Sequence, residues 1–312
     1  MKTFRLRLRP LTAFGTPLAG DMLFGHLCWA ALERWGSARL GELLAGYTEG
    51  RPWLVVSDGF PAGFLPRPAV PDAVLGRTID PAKRKVMRRR VWLPAGGESR
   101  PLGDWLDDAS AASERDLPRS AVLTQNTINR ITGTTGTGQF APRQVERGAY
   151  ERDARLDVYA AVDDARLDPP ALRQLFQDVG DMGYGRDAST GPGKFAVEAM
   201  EDHRWPPGPA RHWLCLAPCA PDTAALDAAR CYYHPLTRFG RHGNIGVRLG
   251  VPFKRPLLLM KTGALLTSRQ PERWSHHGCG LGGRAQPLSA VIPDTVHQGY
   301  APVVPVNLEA AT

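Results

Sequence analysis

The chain has 312 residues, 43% of them hydrophobic, which suffices for a sizeable core and is comfortable for two domains. Thirty-nine lysines and arginines against 31 acidic residues give a net charge of +8, so the expected partner is a polyanion such as nucleic acid. No stretch is long enough to cross a bilayer, the N-terminus has no apolar signal region, and the five scattered cysteines form no Cys-x-x-Cys pair, so a cytoplasmic protein without membrane contact or a disulfide framework is expected.

In chain order, Phe4, Leu6 and Leu8 alternate with Arg5, Arg7 and Arg9, which predicts a strand with one apolar face and a cationic opposite face, or a charge-protected edge strand. Asp21 is expected to cap a helix over Met22 to Trp35 that buries Phe24, Cys28, Ala31 and Trp35. The tract from Lys83 to Arg90 carries six basic residues in eight and leads into Val91, Trp92 and Leu93, giving a candidate grip on a nucleic-acid backbone. The chain turns acidic from Asp104 to Asp116, where an exposed loop or short helix is expected.

From Leu117 to Val145 there is no acidic residue, and β-branched side chains precede a Gly133–Gly138 turn, so a projecting hairpin is predicted over about 117–145. Asn126, Asn129 and Arg130 supply it with neutral and cationic groups suited to lying along RNA. Arg155 to Val162 reads as a strand, and Asp168 as the cap of a helix that starts at Pro169 and Pro170 and buries Leu172, Leu175, Phe176, Val179 and Met182. After it comes the loop from Gly183 to Lys194, then the alternation of Phe195, Val197 and Ala199.

Nucleotide-binding glycine loops run from strand to helix, and Gly193-Lys194 is followed by Phe195 rather than Ser or Thr, so this helix-to-strand loop is not a dinucleotide or ATP site. It is expected instead to present backbone N–H groups of Gly183, Gly185, Gly191 and Gly193 to an anion, helped by Arg186, Ser189, Thr190 and Lys194; a helix cap with a tight turn is the alternative. Asp187 is read as a brace for Arg186.

A junction at Trp205-Pro206-Pro207-Gly208-Pro209 divides the chain into 1–204 and 210–312. The second part is expected to hold strands at Trp213–Leu216, Arg255–Thr262 and Val303–Leu308, a short helix over Asp222–Ala229, and a Gly-rich loop over His276–Gly283. Its Arg238, Arg241 and Lys254 join the candidate RNA-contacting residues, and Arg248 lies in the same basic stretch. Cys215, Cys219 and Cys231 with His276 or His277 match no standard zinc spacing, and the carboxylates gather into no pair or triad, so neither metal nor other cofactor is expected. The whole is an α+β chain, and the first part has a ferredoxin-like element order with a long insertion.

Three segments together, Phe14 to Trp29, Asn126 to Thr135 and Gly183 to Phe195, resemble the RAMP subunit-four family of type III-A (Csm) CRISPR interference complexes, related to Cas group five; Gly299–Pro302 and Val304–Val306 add to the likeness. The resemblance implies two ferredoxin-like (RRM-like) domains with a hairpin thumb, and a non-catalytic subunit that caps the 5′ handle of the CRISPR RNA near the target RNA. It implies the large polymerase-like (Cas group ten) subunit and the backbone RAMP, Csm subunit three, as partners. Related RAMP proteins that mature CRISPR RNA use a histidine near the first helix, which makes His26 the candidate acid or base of an alternative, a metal-independent endoribonuclease, with Lys2 or Arg5 as the cation.

Overall fold

A computed structural model describes residues 1–78, 80–109, 118–243 and 250–308. Its regular elements are β1 (Lys2–Pro10), α1 (Gly20–Leu44), β2 (Leu54–Val56), β3 (Phe60–Pro61), β4 (Phe64–Pro66), α2 (Arg84–Arg89), β5 (Trp92–Pro94), α3 (Leu102–Asp107), β6 (Arg119–Gln125), β7 (Arg143–Ala149), β8 (Leu156–Val162), α4 (Pro169–Met182), β9 (Phe195–Asp202), β10 (Ala210–Cys215), β11 (Pro235–Arg238), β12 (Leu257–Met260), β13 (Leu265–Glu272), β14 (His276–Gly282) and β15 (Val296–Val306). The chain is α+β, and no helix among the described residues is long and apolar enough to cross a membrane.

The first sheet is antiparallel in the order β2-β8-β1-β9, with β3 also beside β8. Phe4, Leu6 and Leu8 are buried in one cluster with the apolar stripes of α1 and α4. The opposite face of β1 departs from expectation. The strand is central rather than an edge, and its arginines do not form a free cationic surface, because Arg5 pairs with Glu201, Arg7 with Asp157 and Arg9 with Glu198.

Helix α1 keeps its predicted first part: Gly36, at φ +80°, interrupts it one residue after Trp35. Its start is different. Ala19 holds the cap position without a side-chain bond, and the Asp58 carboxylate accepts the Gly20 N–H at 2.7 Å. Asp21 is therefore no cap; it is buried in the first turn and paired elsewhere. Helix α4 follows its sequence closely, with the Asp168 side chain accepting the Ala171 N–H at 2.7 Å and Leu172, Leu175, Phe176 and Val179 buried. Met182, its last residue, is exposed instead, and the buried ring of Tyr184 closes the core there.

The second sheet is antiparallel in the order β13-β10-β15-β14. One face, with Leu214, Leu265 and Val304, packs on Phe60, Leu93 and Trp105 from the 60–109 segment; the other carries Trp213, Leu266 and Val303. The expected helix over Asp222–Ala229 is two 3-10 turns, Thr223–Ala225 and Ala228–Arg230. A helix cannot continue there because the Asp227 N–H bonds the Thr267 carbonyl of β13 and Leu226 bridges to Ser268. The expected loop at His276–Gly283 is mostly strand β14, paired along β15. Gly280 is there for close approach, since a Cβ would lie 2.3 Å from the Tyr47 carbonyl oxygen. The basic tract forms α2, on which Lys85 and Arg89 are exposed; the side chains of Arg84 and Arg88 lie outside the described residues, as do Leu117 and Arg248.

Candidate nucleic-acid interface

The glycine loop runs from α4 into β9, the order the sequence predicts. Gly183, Gly185, Gly191 and Gly193 all have positive φ, and Asp187, at φ 63°, is the one non-glycine among the described residues that does. Chirality makes that backbone costly for other residues, which explains the glycines. Asp187 braces the loop as expected, though its partners are two: Arg186 at 3.9 Å and Arg147 at 3.7 Å.

The expected cradle of free N–H groups is not what forms. The N–H of Gly183 bonds Val179, Tyr184 bonds Gly193, Gly193 bonds Ala13, and Thr190 and Gly191 close a turn on Asp187 and Ala188. Gly185 donates to His26 Nε2 at 3.1 Å, Arg186 to Thr16 Oγ1 at 3.1 Å, and Lys194 to Thr12 Oγ1 at 2.9 Å. Tyr184 is wholly buried; its hydroxyl accepts the Ala19 N–H and donates to the Pro17 carbonyl, both at 2.9 Å. The loop is thus sewn to residues 12–19, which satisfies its backbone donors within the protein. What it offers outward is side chains: Arg186, Ser189 and Thr190 are exposed and Lys194 is half-buried.

His26 takes part in this sewing. Its ring lies 4.9 Å from that of Tyr184, and burial pulls its pKa down to about 4, so at neutral pH it is an uncharged acceptor occupied by Gly185.

The hairpin forms from β6 and β7, paired from Arg119 opposite Ala149 to Gln125 opposite Arg143, so its strands end four residues later than the sequence boundary of Val145. Phe14 exchanges both backbone bonds with Gly148 at 2.8 Å, and Arg186 donates to the Glu146 carbonyl at 2.7 Å, so the hairpin base, the 12–19 segment and the glycine loop make one unit. At the tip Asn126 and Arg130 are exposed, as is Ile131 at 94%. Asn129 is used internally, its side-chain Oδ1 accepting the Ile131 N–H at 2.9 Å.

Between hairpin base and loop lies a cavity of about 330 Å³, lined by Phe14, Tyr150, Ser120, Arg147 and Arg186 among others. The Arg147 side chain is only 10% exposed, and its Nε and Nη2 have no hydrogen-bond partner. The Asp187 carboxylate lies 3.7 Å from Nη2, too far for a hydrogen bond, so the guanidinium keeps hydrogen-bonding capacity for an oxygen anion. Phe14 and Tyr150 meet edge to face at 5.5 Å beside it. Sequence reasoning missed Arg147, Phe14 and Tyr150 as a group; the available signal was Arg147 and Tyr150 flanking the small pair Gly148-Ala149 at the end of the hairpin.

The second-half candidates separate. Arg238 is held by Asp21 at 2.6 and 2.9 Å, and Lys254 is half-buried near Cys28 and Asp21, where burial lowers its pKa. Arg241 is exposed and lies over the Phe253 ring at 5.1 Å. These residues and the glycine loop meet the same helix, α1: the loop through His26, the later segment through Asp21 and Trp29. No cluster of three or more metal-ligating side chains occurs among the described residues.

No family model matches the sequence, and no curated protein does. Solved structures match along the whole chain. A structure of the Csm1–Csm4 cassette in complex with AMPPNP aligns at TM-score 0.60 and 14% identity, covering 100% of both chains. The same cassette with pppApA aligns at 0.59 and 14%, covering 100% of this chain and 99% of that one. A Csm3–Csm4 subcomplex of the type III-A CRISPR-Cas interference complex aligns at 0.54 and 13%, covering 98% and 100%. Csm4 is the component these structures share, and the chain has a Csm4-like fold.

Proposed function

We propose that the protein is a non-catalytic CRISPR RNA-binding subunit of a type III interference complex, holding the 5′ handle and joining a Csm1-type large subunit to a Csm3-type backbone. The observation that carries the reading is the cavity at the hairpin base: Phe14, Tyr150, Arg147 and exposed Arg186 line it, and the Nε and Nη2 of Arg147 have no hydrogen-bond partner, the ion pair to Asp187 being long at 3.7 Å. A phosphate takes the guanidinium groups, and a splayed base takes the aromatic wall. Phosphate contacts supply affinity; seated bases supply preference for the handle. The whole-chain fold likeness to Csm4 supports both partners.

The order β9-β1-β8-β2, with α1 and α4 as crossovers, supports a ferredoxin-like domain over 1–204 with the β6–β7 hairpin as its thumb. The region 210–312 is read as a degenerate second copy, its described sheet lacking α-helices. The exposed side chains of Asn126, Arg130 and Ile131 at the tip are the groups such a thumb would present to a guide–target duplex. Of the original contact set, Arg186, Ser189, Thr190, Lys194 and Arg241 keep outward-facing side chains, while Arg238 and Asn129 are engaged within the protein.

His26 favours the non-catalytic reading: its Nε2 is occupied and carries no proton to give at neutral pH. Co-purification from cells with sequencing of the bound RNA tests the proposal. CRISPR RNA enriched for the handle end is expected; RNA of random origin, or His26-dependent cleavage of repeat RNA without metal, would replace this reading.

A further inference from the structure

A second cleft, of about 370 Å³, opens at the other end of β1 from the glycine loop. Strand β1 runs nine residues from Lys2 at this cleft to Pro10 beside Phe195, so the two sites stand roughly 26 Å apart along the strand. The cleft volume falls in the range of about 300–1,000 Å³ typical of small-molecule sites.

Two aromatic groups wall it. On one side the backbone N–H of His203 is pinned to the Thr3 carbonyl at 2.9 Å, and the Trp205 ring sits 4.2 Å from the His203 ring and 4.9 Å from that of Tyr159. On the other side Trp274, from the turn between β13 and β14, lies 5.4 Å from Trp213 and 4.4 Å from His277. Trp205 comes from the Pro-rich junction, whose stiff backbone sets the indole at the wall rather than leaving it in a flexible linker.

The cleft is polar in a particular way. Trp205 Nε1 and His203 Nε2 are buried and have no hydrogen-bond partner. A buried indole N–H usually finds an acceptor, so this wall of the cleft carries a donor left unmet within the protein. Burial lowers the pKa of His203, leaving a neutral ring beside it. At the rim, Arg204 and Arg273 are exposed and have no ion-pair partner among the described residues, whereas Arg5, Arg7 and Arg9 on the neighbouring strand are all paired.

We propose that this cleft binds a nucleotide, with its base between the indoles of Trp205 and Trp274 and its phosphate on Arg204 and Arg273. Planar π walls accept any base, and two unpaired guanidinium groups at the rim suit the attached anion. The site stands apart from the RNA surface proposed above and does not depend on it.

The test uses the full-length protein titrated with AMP and UMP, followed by tryptophan fluorescence and calorimetry. Saturable quenching is expected, with adenosine and inorganic phosphate each binding at least about tenfold more weakly than AMP. Trp274→Leu and the double variant Arg204→Ala with Arg273→Ala should each weaken AMP binding about tenfold or more. The pair Arg147→Ala with Arg186→Ala should leave it unchanged, which separates this site from the RNA surface. Should Trp274→Leu fail to fold, the exposed arginine pair decides. Competition by a short single-stranded RNA stronger than by AMP identifies a strand as the source, and weaker competition identifies a free nucleotide. No quenching up to millimolar AMP, phosphate alone binding as tightly as AMP, or unchanged affinity in the arginine variant would overturn the proposal.

Discussion

Asp21 and Arg238 stand 217 residues apart in sequence and close a two-bond ion pair, Nε to Oδ2 at 2.6 Å and Nη2 to Oδ1 at 2.9 Å, around a carboxylate that is wholly buried. His297 reaches the same carboxylate at 3.2 Å. Burial opposes the charge on Asp21, but His297 and Arg238 together outweigh it and hold the carboxyl below its ordinary range. The first turn of α1, the end of β11 and strand β15 are thereby fixed to one another.

Removing one partner strands a buried charge, which typically costs about 3–5 kcal/mol. Arg238→Ala is expected to destabilise the protein by that amount in urea denaturation. The double variant Asp21→Ala with Arg238→Ala should lose less than the sum of the single variants. A loss within about 0.5 kcal/mol for Arg238→Ala would mean the pair behaves like a surface contact.

Two buried groups give stability opposite slopes with pH. Burial raises Asp58 from 3.8 to about 7, only partly offset by the Thr262 hydroxyl and the Gly20 N–H. The folded state then keeps a proton that the unfolded chain has lost, so this contribution falls as pH rises from about 3.8 to about 7. His26 is depressed from 6.5 to about 4 by burial, so its contribution falls as pH drops through that window. Asp58→Asn mimics the protonated acid. Its stability relative to the wild type should improve between pH 5 and pH 7.5 in urea titrations, and a pH-independent difference would refute the assignment.

At Gly193 a Cβ would lie 2.0 Å from the Tyr184 carbonyl oxygen, on a backbone at φ +78°. At Gly191, with φ +104°, no atom beyond its two chain neighbours lies within 4 Å of that position. Gly193→Ala should therefore cost more than about 2 kcal/mol and Gly191→Ala less, since the second carries backbone strain alone. Equal losses would show that the loop is not packed as described.

Replacing the tip from Asn126 to Pro142 by a two-residue turn should change stability by no more than about 0.5 kcal/mol, since Gln125 already pairs with Arg143 and Ile131 is 94% exposed. Thermal denaturation checks this. A large loss would place the tip in the folding core.

Much of the first half was legible because local chemistry decides it. Asp168 with two prolines starts α4, and the alternation of Phe4, Leu6 and Leu8 buries one face of β1. What was not legible depends on partners distant in sequence. Asp21 has the composition of a cap, but Asp58 takes that backbone donor and Arg238 takes the charge. The glycine loop has the composition of an anion cradle, but Thr12, Thr16 and His26 occupy its N–H groups. Arg147 emerges as the main cation only because β7, the 12–19 segment and Asp187 converge on it.

The most direct test is binding of a handle-sequence RNA across a salt series by the wild type and by Arg147→Ala with Arg186→Ala. The loss of about two phosphate contacts should lower affinity and flatten the slope of log K against log salt by roughly 1.4, at about 0.7 per contact for a single strand. Unchanged affinity and slope would remove the cavity at the hairpin base from the RNA interface and contradict the proposed function of the site.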